Sequence, residues 1–298
     1  MGLAKSRIAC DTARKIRLMQ IGYTTWGMPS VPVDQALSFL SEQGFDAVEL
    51  TVLPNYTTAA DRLDADERRR IKRLFQQYGL TMPSVAAHRS LLDEGPDAHR
   101  ENMRVLKQAV ELCAEWSDGR GMPVLDTVLG GAPEDWEPRL DFILERVREL
   151  LDYATARDVV IGMEAHVGSA LDTAEKSVQL VETMSSPNLG LNFDISHFDV
   201  LGMSIEEAVR LMAPYAVHTH VKDQRGRVPD FEFLVPGEGD FDFVTYLRAM
   251  HAAGYTGSIT AEVSHMVQRH PGYDPFEAAA LCYRTLENAF TEADVPRP

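Results

Sequence analysis

Eight short β-rich runs alternate with amphipathic helical runs along the chain, and this alternation limits the possible folds more than any other feature. The first run is Leu18–Tyr23, followed by a helical pattern from Val33 to Gln43 that Gly44 closes. The second, Ala47–Val52, precedes a helix over Asp66–Tyr78 stopped by Gly79. The third, Thr81–Ala87, ends at His88 and leads to a long helix over Ala98–Trp116. Val124–Leu129 follows, broken by Gly130-Gly131, and then a helix over Pro138–Arg157. The second half pairs Val159–Glu164 with Thr173–Met184, and Leu189–Asp194 with Ser204–Ala213. It ends with Ala216–Val221, a long loop and a helix over Asp242–Ala253, then Ser258–Val263 and Pro275–Phe290. Near-continuous apolar strands separated by helices imply a parallel sheet covered by helices. Eight such units close into a (β/α)8 TIM barrel, an α/β fold of one domain. The 298 residues suit one barrel, typically about 250 residues long. An open doubly wound sheet is the alternative, but no Gly-x-Gly-x-x-Gly turn follows an early strand. Residues 1–16 read as an N-terminal extension and 17–298 as the barrel.

Hydrophobic residues make up 45% of the chain and charged ones 25%, the balance of a globular protein with ample core. There is no run of 18 or more apolar residues, so no transmembrane helix is expected. The basic N-terminus lacks the apolar block of a secretory signal. Gly2 and Ser6 fit a myristoylation pattern, which reads as a chance match because nothing else points to a membrane. A formal charge of −16 repels phosphate backbones and argues against a nucleic-acid partner. Cys10, Cys113 and Cys282 have no paired spacing, as expected for reduced thiols in a cytoplasmic protein.

The polar residues fall at the strand ends. Glu164 ends the fifth run, Asp194 ends the sixth with His197 three residues on, His220 lies in the seventh and Glu262 in the eighth. In a barrel these positions converge on one mouth, where barrel enzymes place their chemistry. Three carboxylates there repel one another unless a cation lies between them. Two Glu, one Asp and one His form a hard ligand set suited to one divalent ion, Mn²⁺ first, with Mg²⁺ or Co²⁺ as alternatives. Each residue also has a plainer reading. Glu164 could face a surface Arg, Asp194 could cap a helix, His220 could be a satisfied core histidine, and Glu262 could pair with Arg269.

Around these residues the sequence resembles the xylose-isomerase-like barrel superfamily, in its sugar (phosphate) isomerase/epimerase branch. Glu164-Ala-His166 is similar to the family's E-x-H, and Asp194-Ile-Ser-His197 with Gly202 to its D-x-x-H. His220-Val-Lys222-Asp223 looks like its H-[LVI]-K-D, and the run from Pro236 to Asp242 like its P-G-x-G segment. The resemblance covers the chain from about Arg17. It implies one divalent metal held by Glu164, Asp194, His220 and Glu262, and a substrate contact for His197. It also implies a sugar isomerase or epimerase in which Glu164 and Glu262 exchange a proton next to a carbonyl through a metal-stabilised enediolate. Homo-oligomers are implied as well. The same enolate expels a leaving group β to the carbonyl, so a lyase or dehydratase acting on a keto-sugar, inosose or 3-keto-glycoside is the alternative.

His88, His166, Lys222, Arg225, Trp26 and Trp136 are further candidates for contact with a small sugar or polyol. Against each stands a bland reading: a buried hydrogen-bonded histidine, a solvated loop charge, a core tryptophan. His218 and Trp116 read as core. The long loop Lys222–Glu238, with Phe231 and Phe233, reads as a lid or a dimer contact. No glycine-rich phosphate cradle follows the last two strands, which favours a non-phosphorylated substrate. Two remote rivals remain. An abasic-site endonuclease needs a second Asp-x-His where this chain has Asp230-Phe-Glu232, and a non-catalytic binding subunit needs no intact ligand set.

Overall fold

The computed structural model describes residues 18–93, 95–119 and 121–298. The extension 1–16, with Cys10 and the Gly2/Ser6 pattern, lies outside the described residues. Eight parallel strands close a barrel: β1 Gln20–Thr24, β2 Ala47–Thr51, β3 Ser84–Ala86, β4 Val124–Val128, β5 Ile161–Glu164, β6 Leu189–Asp194, β7 Ala216–Val221 and β10 Ser258–Ala261. Around the barrel the order is β1-β10-β7-β6-β5-β4-β3-β2. Helices start where the sequence supplies caps. Asp64, Thr173, Ser204, Asp242 and Asp274 each accept a hydrogen bond from a backbone N–H of the following first turn. Gly44 closes the helix Val33–Gln43 in a left-handed conformation, φ 104°.

Alternation along the strands divides the barrel into two environments. Ile21, Tyr23, Val48, Leu50, Val85, Leu125, Ile161, Met163, Leu191, Phe193 and Ile259 are buried in one hydrophobic core with helix residues such as Leu37, Ile71, Leu106, Val147 and Leu286. Each such burial stabilises by roughly 1.5–3 kcal/mol. The intervening positions carry Glu49, Ser84, Asp126, Glu164, Asn192, Asp194, His218, His220 and Thr260, all buried as well. Contacts between strands that are not neighbours place these side chains in the lumen. Glu49 on β2, for instance, lies 3.0 Å from His218 on β7, with β1 and β10 between them in the sheet. The lumen is therefore polar, unlike the branched apolar filling usual in such barrels.

Among the departures from the sequence reading are the third strand and the segment after β7. The third strand is shorter than Thr81–Ala87, because Pro83 has no N–H to donate; Thr81 makes an isolated bridge to Ala47 and continuous pairing begins at Ser84. The segment after β7 is not an irregular loop but an antiparallel hairpin, β8 Asp223–Arg227 and β9 Asp230–Leu234. Gly226, paired with Phe231 near the end of β8, must be glycine: its φ is +78°, and a Cβ there would meet Asp230 O at 2.3 Å.

Gly162 and Gly190 are register partners on β5 and β6. A Cβ on Gly190 would come within 2.5 Å of Val217 Cγ1 and 2.8 Å of the backbone oxygen of Tyr215. The second contact is with backbone and cannot be relieved by a rotamer change. Gly190→Ala is expected to lower stability by about 1–3 kcal/mol, read as a lower urea midpoint with an unchanged slope.

Candidate active site

Glu164, Asp194, His220 and Glu262 come from β5, β6, β7 and the residue after β10, and the structure brings all four together. One ligand atom from each lies within 4.8 Å of the others, and all four residues are buried. His220 Nδ1 is 3.0 Å from Glu262 Oε2 and 3.5 Å from Glu164 Oε1. Glu262 faces Lys222 at 2.8 Å, not Arg269 as one sequence reading had it. Asp194 fulfils its capping reading too, since its Oδ1 accepts from Ser196 N and Oγ while Oδ2 faces the cluster.

Lys222 lies deeper than a substrate-contact reading suggests. It is 2% exposed, and its ammonium touches Asp194 Oδ2 and Glu262 Oε2 and lies 3.9 Å from Glu164 Oε1. Phe233 of the hairpin covers it, ring centroid 5.6 Å away, and packs edge-on against His197 at 5.1 Å. The hairpin thus roofs one side of the cluster. Asp223, next in the motif, serves the roof: its carboxylate accepts from the backbone N–H groups of Gln224, Gly237 and Phe241, tying β8 to the Pro236–Asp240 segment.

Three histidines line the other side. His88 Nε2 lies 2.7 Å from Asp126 and 3.2 Å from Glu164. His166 Nε2 lies 3.1 Å from Glu164, and its ring stacks on His197 at 4.1 Å. His197 Nδ1 accepts from Val167 N, which leaves an Nε2–H facing Asp194 at 3.5 Å and Glu164 at 3.9 Å. Trp26 closes the rim, packed on His88 at 4.8 Å and His265 at 4.7 Å, with Tyr56 donating to its backbone oxygen.

These neighbours set the charge states. Burial pushes Glu164 up, but His166 and then His220 and His88 outweigh it and hold the carboxyl well below the usual range. Burial likewise acts on Glu262, yet Lys222 and His220 draw it down to about 2. For Asp194 burial prevails over Lys222 and raises it. Burial lowers His88, but Asp126 more than offsets this and lifts it to about 9. His197 is driven well below its ordinary value by burial, His166 and Lys222, and is therefore neutral.

The donor set fits a divalent cation. Both Glu164 oxygens and Glu262 Oε2 are buried and accept no well-directed hydrogen bond, although His166 and Lys222 stand within ion-pair distance. Buried carboxylate oxygens without donors are the arrangement a metal ion completes.

Two candidates are not brought to the cluster. Trp136 is 1% exposed, with its indole N–H on Gln179 and Lys176 beside its ring; it packs against a helix of the outer layer. Arg225 projects from the hairpin to Glu232, Asp240 and the backbone oxygen of Glu238. Asp230 and Glu232 sit on the same exposed hairpin. The sequence reading missed Glu49, Asp126, Asn192 and Ser84, which form a buried tier next to the cluster. Asn192 donates to Asp126, and Ser84 and His218 contact Glu49. Inward parity in AVELT and VLDTV was the available signal.

The chain is similar to known proteins along most of its length. The chain is 22% identical to an inosose dehydratase from Geobacillus thermodenitrificans, over 89% of this chain and 93% of that one. It is 24% identical to a probable ketose 3-epimerase from Synechocystis, over 74% of each. A solved xylose isomerase-like TIM barrel protein from Mycobacterium smegmatis, in complex with magnesium, superposes with a TM-score of 0.67 at 18% identity, covering 92% of this chain and 97% of that one. The model of the xylose isomerase-like TIM barrel family matches residues 37–292, and the chain belongs to that family.

Proposed function

We propose that this protein is a divalent-metal-dependent sugar isomerase or epimerase. The observation that carries the reading is the buried convergence of Glu164, Asp194, His220 and Glu262. Three carboxylates and one imidazole suit Mn²⁺ first, with Mg²⁺ or Co²⁺ able to substitute; the Mycobacterium smegmatis neighbour was solved with magnesium. When bound, the cation would supply Lewis-acid polarisation of the oxygens beside the carbon that loses its proton. Together with the Lys222 ammonium, a divalent ion matches the charge of the three carboxylates.

The chain's own residues move the proton. Glu164 and Glu262 are ionised carboxylates at the ends of different strands, so one removes the proton next to the carbonyl and the other returns it. Return to the same carbon from the opposite face gives an epimer, and return to its neighbour gives ketose–aldose isomerisation. His197 presents an Nε2–H to a substrate oxygen, with His88 and His166 beside it. The Trp26 ring offers an apolar face to sugar C–H groups. The substrate of this reading is a non-phosphorylated sugar or polyol.

The inosose dehydratase, matched over 93% of its length, favours one second reading, elimination. The first step is the same, and the group β to the carbonyl then leaves with its electron pair. The product separates the two: elimination gives an enone that absorbs in the ultraviolet, whereas epimerisation gives none.

Two outcomes are expected. Chelation with EDTA abolishes turnover of ketoses or inososes, and added Mn²⁺ restores it; full activity in metal-free protein would overturn the reading. In D₂O, wild-type protein exchanges the proton next to the substrate carbonyl. Glu164→Gln and Glu262→Gln each slow this by about 10²–10⁴-fold, read by proton NMR with Mn²⁺ content measured in parallel.

A further inference from the structure

Resting on the metal reading, we infer that Glu49 is the positioning residue of the metal centre: it holds His220 as the Nε2–H tautomer and so leaves the Nδ1 lone pair for the ion. Glu49 is wholly buried on β2, across the lumen from His220, and belongs to neither the ligand set nor the substrate rim. Its Oε1 lies 3.0 Å from His220 Nε2. Its Oε2 accepts from Ser84 Oγ at 2.6 Å and lies 3.0 Å from His218 Nε2. With Oε2 committed on that side, the carboxylate cannot turn away, and Oε1 stays fixed on the His220 ring.

The Nδ1 side of the ring carries both a donor and acceptors. Asn192 Nδ2 lies 3.1 Å from His220 Nδ1 and also donates to Asp126 Oδ1 at 2.9 Å. A carboxylate oxygen accepts, so the amide nitrogen is correctly placed. Glu262 Oε2 at 3.0 Å and Glu164 Oε1 at 3.5 Å face the same Nδ1, so it is Glu49 that sets the proton on Nε2, and a cation rather than a second proton would lie between Nδ1 and these oxygens. A carboxylate behind a ligating imidazole fixes the ring orientation and raises its basicity, and its loss typically weakens metal binding about 10–100-fold. Glu49, His218 and His220 also lie close enough to hold an ion themselves. Ser84 already donates to that carboxylate, and the group is sealed from solvent, so the contact reads as support for a ligand.

The test is Mn²⁺ titration followed by EPR of the free ion, on wild-type protein, Glu49→Ala, Glu49→Gln and His220→Ala. Histidine ring ¹⁵N NMR of the Mg²⁺-loaded protein accompanies it. The expected result is one ion per wild-type chain and about 10–100-fold weaker binding by Glu49→Ala with unchanged far-UV circular dichroism. Glu49→Gln, whose carbonyl still accepts from Nε2–H, lies between them and keeps the site testable should the alanine variant fold poorly. His220 should show a protonated Nε2 and a shifted Nδ1. Wild-type affinity in both Glu49 variants, with binding lost in His220→Ala, overturns the inference and leaves the metal reading standing. A second wild-type ion that disappears in Glu49→Ala also overturns it, since Glu49 would then be a ligand. Wild-type protein that takes up no Mn²⁺ overturns the metal reading itself, and the inference with it.

Discussion

Five carboxylates, on Glu49, Asp126, Glu164, Asp194 and Glu262, are sealed inside one barrel, and the arrangement of the lumen follows from the need to offset their charge. An unpaired buried carboxylate is costly enough that proteins pair it or protonate it. Here each has a basic partner within about hydrogen-bonding distance: His218 and His220 for Glu49, His88 for Asp126, His88 and His166 for Glu164, Lys222 for Asp194 and Glu262. Some partners lie on strands that are not neighbours, as Glu49 on β2 and His218 and His220 on β7 do, so the network is complete only in the closed barrel.

The apolar half of each strand makes this possible. Ile21, Leu50, Leu125, Ile161, Leu191 and Ile259 bind the helices to the outside of the sheet and leave the lumen free to be polar. The hairpin after β7 then limits access from above. Asp223 ties it to the Pro236–Asp240 segment, and Phe233 rests over Lys222 and His197. In an environment with little water, each of these charge pairs interacts more strongly than it would at the surface. A site of this kind suits chemistry in which a carboxylate must take a proton from carbon.

The eight strand–helix units were legible because alternation is a local property: each run carries its own apolar face and its own stop signal. The four clustered residues were legible for a related reason. All stand at or near the ends of the last four strands, where one rule of position applies to each. Glu49 and Asp126 obey the same parity but lie in mid-strand, in AVELT and VLDTV, where an isolated acid among apolar residues gives no hint of its partner. Glu49 is paired with histidines 169 and 171 positions away, a relation fixed only by barrel closure.

Trp136 and Arg225 show the complementary limit. Both follow a strand, and position along the chain places them on the side of the barrel where chemistry occurs. Strand position, however, sets only where a loop begins. Trp136 continues past a short 3-10 turn, Pro133–Asp135, into the packing between helices, and Arg225 lies on a hairpin strand whose exposed face points away from the lumen. His88, also just beyond a strand, stays in the site because Asp126 on the neighbouring strand holds it there. What separates His88, His166 and Lys222, which reach the cluster, from Trp136 and Arg225 is a buried charge waiting for them, supplied by a different strand for His88 and Lys222 and by the end of its own strand for His166.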